Sequence, residues 1–248
     1  MALHVIIPAR YGSSRFPGKP LVNINGRPMI QHVMDRAGKA AGVASVTVAT
    51  DDERIAQAVE AFGGRAVMTD SALRSGSDRA AAAARLLQVP PADLVVNVQG
   101  DQPLLPPEVI SLTAQPLLDD ATLGMSTPVT PITRPEELHD PNHVKAVLDA
   151  HGDALYFSRA AVPHNRDGGP CQHLKHLGVY IFRAAFLELF SKLPSGRLEE
   201  IEKLEQLRAL EHNQRIRCVV VPHDSPEVDR PEDAQRVAQI LIEAGQDW

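Results

Sequence analysis

The sequence predicts an α/β fold of Rossmann-like type, with a mostly parallel sheet flanked by helices and a smaller antiparallel lobe. Short β-branched strands alternate with amphipathic helices up to about residue 120. Beyond that point, strand-like runs are separated by Pro and Gly, which is typical of antiparallel strands. We therefore expect a single domain over residues 1–248, with an inserted antiparallel lobe at about residues 122–185.

The first half of the chain predicts four strands separated by helices. The strands cover residues 3–7, 45–50, 66–68 and 94–98. Apolar residues at helical spacing predict one helix that closes near Gly42 and another that ends at Gly63 and Gly64. An Ala-rich helix starts at Ser77. Parallel strands joined in this way require right-handed crossovers.

The second half predicts more strands, then a long helix and a closing helix. The strands cover residues 145–148, 154–157, 178–182 and 216–221. The closing helix starts near Pro231, a residue suited to a first helical turn. A helix over residues 198–210 would place Glu205 on its apolar side. That carboxylate then needs either a ligand or an internal partner such as Arg208.

The composition is that of a soluble globular protein. The net charge of -6 argues against a nucleic-acid partner, because phosphate backbones favour a basic surface. Cys171 and Cys218 are too few for a disulfide framework and lack metal-ligand spacing. The first residues, Met1 to His4, show no basic region followed by an apolar one, and no apolar run approaches membrane-spanning length. We therefore expect a cytoplasmic protein without membrane insertion.

The loop after the first strand is basic and rich in small residues. Between residues 8 and 20 it carries Arg10, Ser14, Arg15 and Lys19 with two glycines. Open α/β sheets bind ligands beyond the carboxyl ends of their strands, and cations beside flexible backbone suit a polyphosphate. The loop therefore predicts a nucleoside triphosphate site, with an ordinary solvated basic loop as the alternative. It matches neither a Walker A loop nor the pattern G-x-G-x-x-G.

Two aspartates are candidates for a metal site. Asp101 follows the fourth strand, where a carboxylate can hold Mg²⁺ against phosphate oxygens or can cap the next helix. Asp229 lies two residues before Pro231 and is at least as well explained as a helix cap.

Two further segments have both a functional and a structural interpretation. Residues 75–79 offer hydroxyls and free backbone to a base or ribose, but they also form an ordinary helix start. His176 and Tyr180, four residues apart, would share one face of a strand and could recognise a polyhydroxylated ligand. A buried histidine with a satisfied hydrogen bond is the alternative. His173 and His176 would lie on opposite faces, so a shared metal is not expected.

Together these segments resemble the CMP-KDO synthetases, the 3-deoxy-manno-octulosonate cytidylyltransferases. The shared motifs lie, in order, at residues 8–19, 49–51, 75–77, 96–101, 156–159, 176–180, 205–208 and 228–233. Several ordered motifs over almost the whole chain make this a specific match. The resemblance implies a nucleotidyltransferase-type fold in which the antiparallel lobe serves sugar binding or dimerisation, and it implies a homodimer.

The resemblance also implies a role for each matched residue. The catalytic residues would be Arg10, Lys19 and Asp101. The nucleotide-binding residues would be Arg10, Ser14, Arg15, Lys19, Ser75, Ser77 and Arg79. The sugar-binding residues would be Gln99, Arg159, Arg166, His176, Tyr180, Glu205 and Gln206, with Arg159 or Arg166 on the sugar carboxylate. Asp101 and Asp229 would hold Mg²⁺.

The implied reaction joins CTP to a free 3-deoxy-2-ulosonic acid. The anomeric hydroxyl of 3-deoxy-D-manno-octulosonate (KDO) attacks the α-phosphorus, giving CMP-KDO and pyrophosphate for lipopolysaccharide or capsule synthesis. Three departures from the family pattern bear on this. Gln102 stands where an acidic residue is usual, His164 where a Trp is common, and the loop over residues 167–172 is short. The last two lie near the expected sugar pocket, so an 8-amino analogue of KDO is an alternative substrate.

Other classes of protein fit the sequence less well. Sugar-1-phosphate nucleotidylyltransferases share the fold type but typically carry a G-x-G-x-R loop, which this chain lacks. A GT-A glycosyltransferase would need a second acid paired with Asp101. A regulator that binds CTP or sugar without turnover is the alternative outside enzymes, and it would not need both candidate metal ligands.

Overall fold

A computed structural model describes residues 1–12, 16–243 and 245. The first half of the chain alternates strands and helices as predicted. The elements are β1 (Leu3–Ala9), β2 (Asn23–Ile24), β3 (Arg27–Pro28), α1 (Met29–Gly38), β4 (Val43–Thr50), α2 (Glu53–Ala61), β5 (Ala66–Met68), α3 (Gly76–Leu86), β6 (Leu94–Asn97) and α4 (Pro107–Asp119).

The second half is richer in short strands and short helices. Its elements are β7 (Met125–Pro131), α5 (Pro135–His139), β8 (Lys145–Leu148), β9 (Ala154–Ser158), β10 (Leu174–His176), β11 (Tyr180–Arg183), α6 (Ala184–Phe190), α7 (Arg197–Glu202), α8 (Leu207–Glu211), β12 (Arg217–Val220) and α9 (Pro231–Glu243).

One mixed sheet runs through the molecule in the order β5-β4-β1-β6-β11-β7-β10-β8-β9, with β12 also paired to β7. Strand β1 is parallel to both β4 and β6, whereas β11 is antiparallel to β6 and β7. Strands β8, β9 and β10 extend the sheet in antiparallel pairs. The predicted fold class is therefore confirmed, and the antiparallel strands continue the parallel sheet through β11.

The central strands are buried on both faces. In β1, Val5 and Ile7 pack in one cluster with α1 and α4, while Ile6 packs in a second cluster with α3. Alternate side chains of a strand point to opposite faces, so two helical layers can cover the sheet. This packing gives the loops at the carboxyl ends of β1 and β6 a rigid base.

The predicted helix over residues 198–210 is wrong, because the chain breaks into α7 and α8. Lys203 adopts a left-handed conformation with φ 54°, which ends α7. Ile201, expected on the apolar face of one continuous helix, is 65% exposed. A projection about one axis does not hold across such a break, so the environment of Glu205 has to be taken from the structure.

None of the helices in the described ranges combines the length and the apolar character needed to cross a membrane.

Candidate active site

A cleft of about 1140 Å³ opens at the carboxyl ends of the parallel strands and extends over β10 and β11. Segments far apart in the sequence line it together. The predicted site residues among its walls are Ser75, Gln99, Arg159, His176, Tyr180, Glu205, Gln206 and Asp229.

Lys19, Asp101 and Asp229 meet beside this cleft. The Lys19 Nζ lies 2.6 Å from Asp101 Oδ2 and 3.4 Å from Asp229 Oδ1. Burial lowers the pKa of Lys19, but the two carboxylates outweigh burial and raise it above its ordinary value. The Lys19 side chain is therefore a firmly charged ammonium group between two acids.

The two aspartates are brought together by backbone contacts. The Val228 N–H donates to the Asp101 carbonyl at 2.9 Å, which joins the loop after β6 to the segment before α9. At the start of α9, Asp233 Oδ2 accepts the backbone N–H groups of Asp229 and Arg230 at 2.9 and 2.8 Å. Because Asp233 caps these amides, the Asp229 carboxylate can face Lys19.

Glu227 is a cleft-lining carboxylate that the sequence analysis missed. Its Oε1 accepts from Gln102 Nε2 at 3.2 Å. The pKa of Glu227 is raised to about 8, mainly because burial disfavours its charged form and also because the charges of Asp101 and Asp229 lie nearby. The sequence did hold a signal for Glu227, namely its spacing of two residues from Asp229, because residues two apart in an extended segment share a face. By that rule Glu227 accompanies Asp229.

On the predicted nucleotide side, Ser75 and Ser77 serve the start of α3. The Ser75 Oγ caps the helix by accepting from the Asp78 N–H at 3.1 Å. Ser77 is buried, and its Oγ donates to Glu205 Oε1 at 3.0 Å. Ser77 thus links the predicted nucleotide and sugar segments.

The predicted phosphate and nucleotide cations have different environments. Arg10 is exposed and donates to the Leu73 carbonyl. Arg79 has 0% exposure and donates to Asp51 Oδ2 at 2.9 Å and to Thr69 Oγ1 at 2.5 Å. These two contacts support the fold, and the nucleotide contact of Arg79 stays a prediction. The predicted contacts of Ser14 and Arg15 fall outside the described residues.

On the predicted sugar side, His176 and Tyr180 contact each other, but not on one strand as expected. Gly178, with φ 69°, separates β10 from β11, and the two rings lie 5.2 Å apart. His176 Nε2 lies 2.7 Å from Thr127 Oγ1, and burial lowers the pKa of His176 to about 3. Tyr180 Oη donates to Gln206 Oε1 at 2.9 Å.

Glu205 occupies the turn between α7 and α8. Besides the Ser77 hydroxyl, it accepts the Ser77 N–H at 3.4 Å. Burial raises the pKa of Glu205, although hydrogen bonds from Ser75 and Ser77 oppose that rise. The internal salt bridge considered for Arg208 is made with other acids, Glu199 at 2.6 Å and Asp78 at 3.4 Å.

The two arginines expected on the sugar carboxylate differ in position. Arg159 lines the cleft, but its guanidinium donates to backbone carbonyls, among them Glu202 O at 2.7 Å and Pro141 O at 2.8 Å. The Arg166 side chain is 90% exposed and lies 3.9 Å from Asp167. Arg166 is not among the cleft-lining residues in the described part of the chain, so its sugar contact stays a prediction.

Comparison with known proteins places the chain in a family. A family model described as cytidylyltransferase matches residues 4–216. A 3-deoxy-manno-octulosonate cytidylyltransferase of Desulfosudis oleivorans is 52% identical over 100% of both chains. An 8-amino-3,8-dideoxy-manno-octulosonate cytidylyltransferase of Shewanella piezotolerans is 54% identical, over 94% of this chain and 96% of that protein.

A solved structure agrees with these relatives. The structure of a CMP:2-keto-3-deoxy-manno-octonic acid synthetase complexed with CTP superposes with a TM-score of 0.92 at 42% identity. The match covers 98% of this chain and 100% of that one. The chain therefore belongs to the cytidylyltransferase family, among the CMP-KDO synthetases that its motifs resemble.

Proposed function

We propose that this protein transfers CMP from CTP to the anomeric hydroxyl of free KDO and releases pyrophosphate. The observation that carries the proposal is the meeting of Lys19, Asp101 and Asp229 beside the cleft that the predicted sugar residues line. The relative from Desulfosudis oleivorans, which matches over the full length, has this activity in its name.

Asp101 and Asp229 fit a magnesium ion. Magnesium typically takes one or two carboxylates and completes its shell with water and phosphate oxygens. Asp101 Oδ1 is buried and has no hydrogen-bond partner in the described part of the chain, and the pairing of both acids with the Lys19 ammonium supports a cation site here. When bound, magnesium would neutralise phosphate charge and make the anomeric hydroxyl more acidic.

The remaining chemistry is positioning and charge. Arg10 and Lys19 would bind the phosphates, and the raised pKa of Lys19 keeps it cationic at neutral pH. The anomeric oxygen forms a bond to the α-phosphorus as the bond to pyrophosphate breaks, and the hydroxyl proton passes to solvent in the cleft. Tyr180 and Gln206, already bonded to each other, would orient the sugar acid.

The same reaction on 8-amino-KDO is the second candidate. The relative from Shewanella piezotolerans, at 54% identity, is named for that sugar, so overall similarity does not separate the two substrates.

The test is pyrophosphate release by the purified protein with CTP and Mg²⁺. The sugars compared are KDO, 8-amino-KDO, sialic acid and glucose 1-phosphate. Release with KDO supports the proposal, and release only with 8-amino-KDO moves it to the second candidate. Binding of CTP with no release from any sugar would overturn both and favour a regulator.

We also propose a cytoplasmic homodimer that feeds lipopolysaccharide or capsule synthesis. CTP is a cytoplasmic nucleotide, which favours that compartment. Strand β9 is a sheet edge and exposes Leu155, an apolar surface that a second copy could cover. Sedimentation velocity would test the homodimer, because a purely monomeric species at micromolar concentration would contradict it.

A further inference from the structure

We propose that Glu202 is a positioning residue, which together with Arg159 fixes the break between α7 and α8 and so places Glu205 and Gln206 in the cleft. The inference rests on the proposed function, because it assumes that those two side chains serve the sugar acid. It gives a role to Glu202, which no motif singled out.

Both oxygens of the Glu202 carboxylate are bound to the end of β9. Ser158 Oγ donates to Oε1 at 2.7 Å, and the Arg159 N–H donates to Oε2 at 2.9 Å. Ser158 is buried, and its Oγ also accepts the Ala160 N–H at 3.0 Å. The last residue of α7 is thereby fixed to the sheet.

Arg159 binds the same helix end from its other side. Its Nε donates to Glu202 O at 2.7 Å, and Nη2 donates to Lys203 O at 3.4 Å. The final carbonyls of a helix lack partners within the helix, and a cation there also complements the helix dipole. The third donor, Nη1, reaches Pro141 O at 2.8 Å. All three guanidinium nitrogens are thus bound to backbone carbonyls.

The conformation of Lys203 makes such support necessary. A left-handed backbone, φ 54°, is unfavourable for a residue with a side chain, so surrounding contacts have to hold it. Two residues later the chain reaches Glu205, which binds Ser77, and then Gln206, which binds Tyr180. The contacts of Glu202 and Arg159 therefore set where both side chains enter the cleft.

In this arrangement Arg159 positions the turn that carries Glu205 and Gln206. The competing interpretation is that Arg159 binds the sugar carboxylate directly. The two readings differ for Glu202. If Arg159 acts on the sugar directly, a change at Glu202 has little effect. If the pair acts through the turn, a change at either residue disturbs Glu205 and Gln206 in the same way.

The experiment compares Glu202→Gln, Arg159→Lys and the double variant. Gln keeps the shape but replaces one acceptor by a donor, so we expect the KM for the sugar acid to rise about tenfold, the scale of a hydrogen bond to a charged group. The KM for CTP should change less. The KM of the double variant for the sugar acid should not exceed that of the more impaired single variant, because both substitutions disrupt the same turn. Glu200→Gln, at an exposed site on α7, is the matched control and should match the parent.

Backbone amide exchange without substrate provides a second readout. Glu202→Gln should speed exchange at residues 203–207, while α3 and β6 keep the protection of the parent. Unchanged exchange there, or additive losses in the double variant, would overturn the positioning role. If Glu202→Gln fails to fold, Ser158→Ala removes a single donor and is expected to give a smaller change in the same amides.

Failure of the proposed function would look different. The parent protein would then release no pyrophosphate with any sugar acid, while the exchange difference at residues 203–207 would still measure the positioning role.

Discussion

The proposed nucleotide side and the proposed sugar side of the cleft are built in different ways. Lys19 and Asp101 follow strands β1 and β6, which are enclosed between two helical layers. Glu205 and Gln206 lie in a turn between two helices of five and six residues. A buried sheet fixes the first pair, whereas hydrogen bonds from neighbouring side chains fix the second. Changes on the nucleotide side should therefore act through lost charge, and changes on the sugar side through lost position.

The largest effect is expected for Asp101→Asn. This variant removes a proposed magnesium ligand and the shorter ion pair of Lys19, while the surrounding strands keep the backbone in place. We expect pyrophosphate release to fall about 1000-fold, on the order of 4 kcal/mol in the barrier. Circular dichroism should match the parent.

Asp35→Asn is the control for Asp101→Asn. Asp35 pairs with Arg27 at the surface, where an ion pair contributes little. Activity of Asp101→Asn close to that of the control would rule out the metal assignment.

A smaller effect is expected for Glu205→Gln, on the sugar side. The amide presents a donor where the carboxylate accepts from Ser77, so the turn should shift. We expect the KM for the sugar acid to rise about tenfold, with a smaller change for CTP. Steady-state kinetics with each substrate varied measures both. Equal losses for the two substrates would count against placing Glu205 in the sugar pocket, and Glu60→Gln on the exposed face of α2 is the control.

The same contrast explains what could be predicted from the sequence. The rule that ligands bind at the carboxyl ends of parallel strands predicted Lys19 and Asp101 at one edge of the sheet, whereas Asp229, 210 residues from Lys19, was placed there only by the family resemblance. The break at Lys203 has no comparable signal, because a left-handed residue is usually Gly or Asn and the apolar spacing continues across it. Tertiary contacts from Ser158 and Arg159 decide that turn.

The arginines illustrate a second limit. Arg79 and Arg166 both lie in or near segments that the family resemblance covers, yet one side chain is enclosed and the other extends into solvent. A sequence motif gives the charge of an arginine but not whether its side chain is buried or exposed. Whether an arginine faces a ligand depends on whether an acid such as Asp51 lies close enough to pair with it. The distance between the arginine and that acid is set only when the chain has folded.

A pH-dependent effect is expected for His176→Gln, again on the sugar side. The pKa of His176 is about 3 in the folded protein and 6.5 in the unfolded chain, so acid favours the unfolded state. As pH falls below 6.5, the parent should lose up to about 1.4 kcal/mol of stability per pH unit that the variant does not lose.

Urea unfolding at pH 7.5, 6.5 and 5.5 measures the difference for His176→Gln. His151→Gln, at an exposed turn, is the control. A difference between parent and His176→Gln that stays constant across these pH values would contradict the burial of a neutral imidazole.

The smallest effect is expected for Gly178→Ala, at the junction of the two sides. The Gly178 carbonyl accepts from Gln99 at 3.2 Å, and an added Cβ would lie 3.6 Å from Glu227, an ordinary contact distance. The cost should therefore come from φ 69°, about 1 kcal/mol for a residue with a side chain. Urea unfolding measures it, with Gly169→Ala, which meets no atom within 4 Å, as the control. Gly178 bonds Gln99, a predicted sugar residue, and lies near Glu227, which is close to Asp101 and Asp229, so the KM for CTP and the KM for the sugar acid should rise together. A rise in the KM for the sugar acid alone would show that the turn at Gly178 serves only the sugar side.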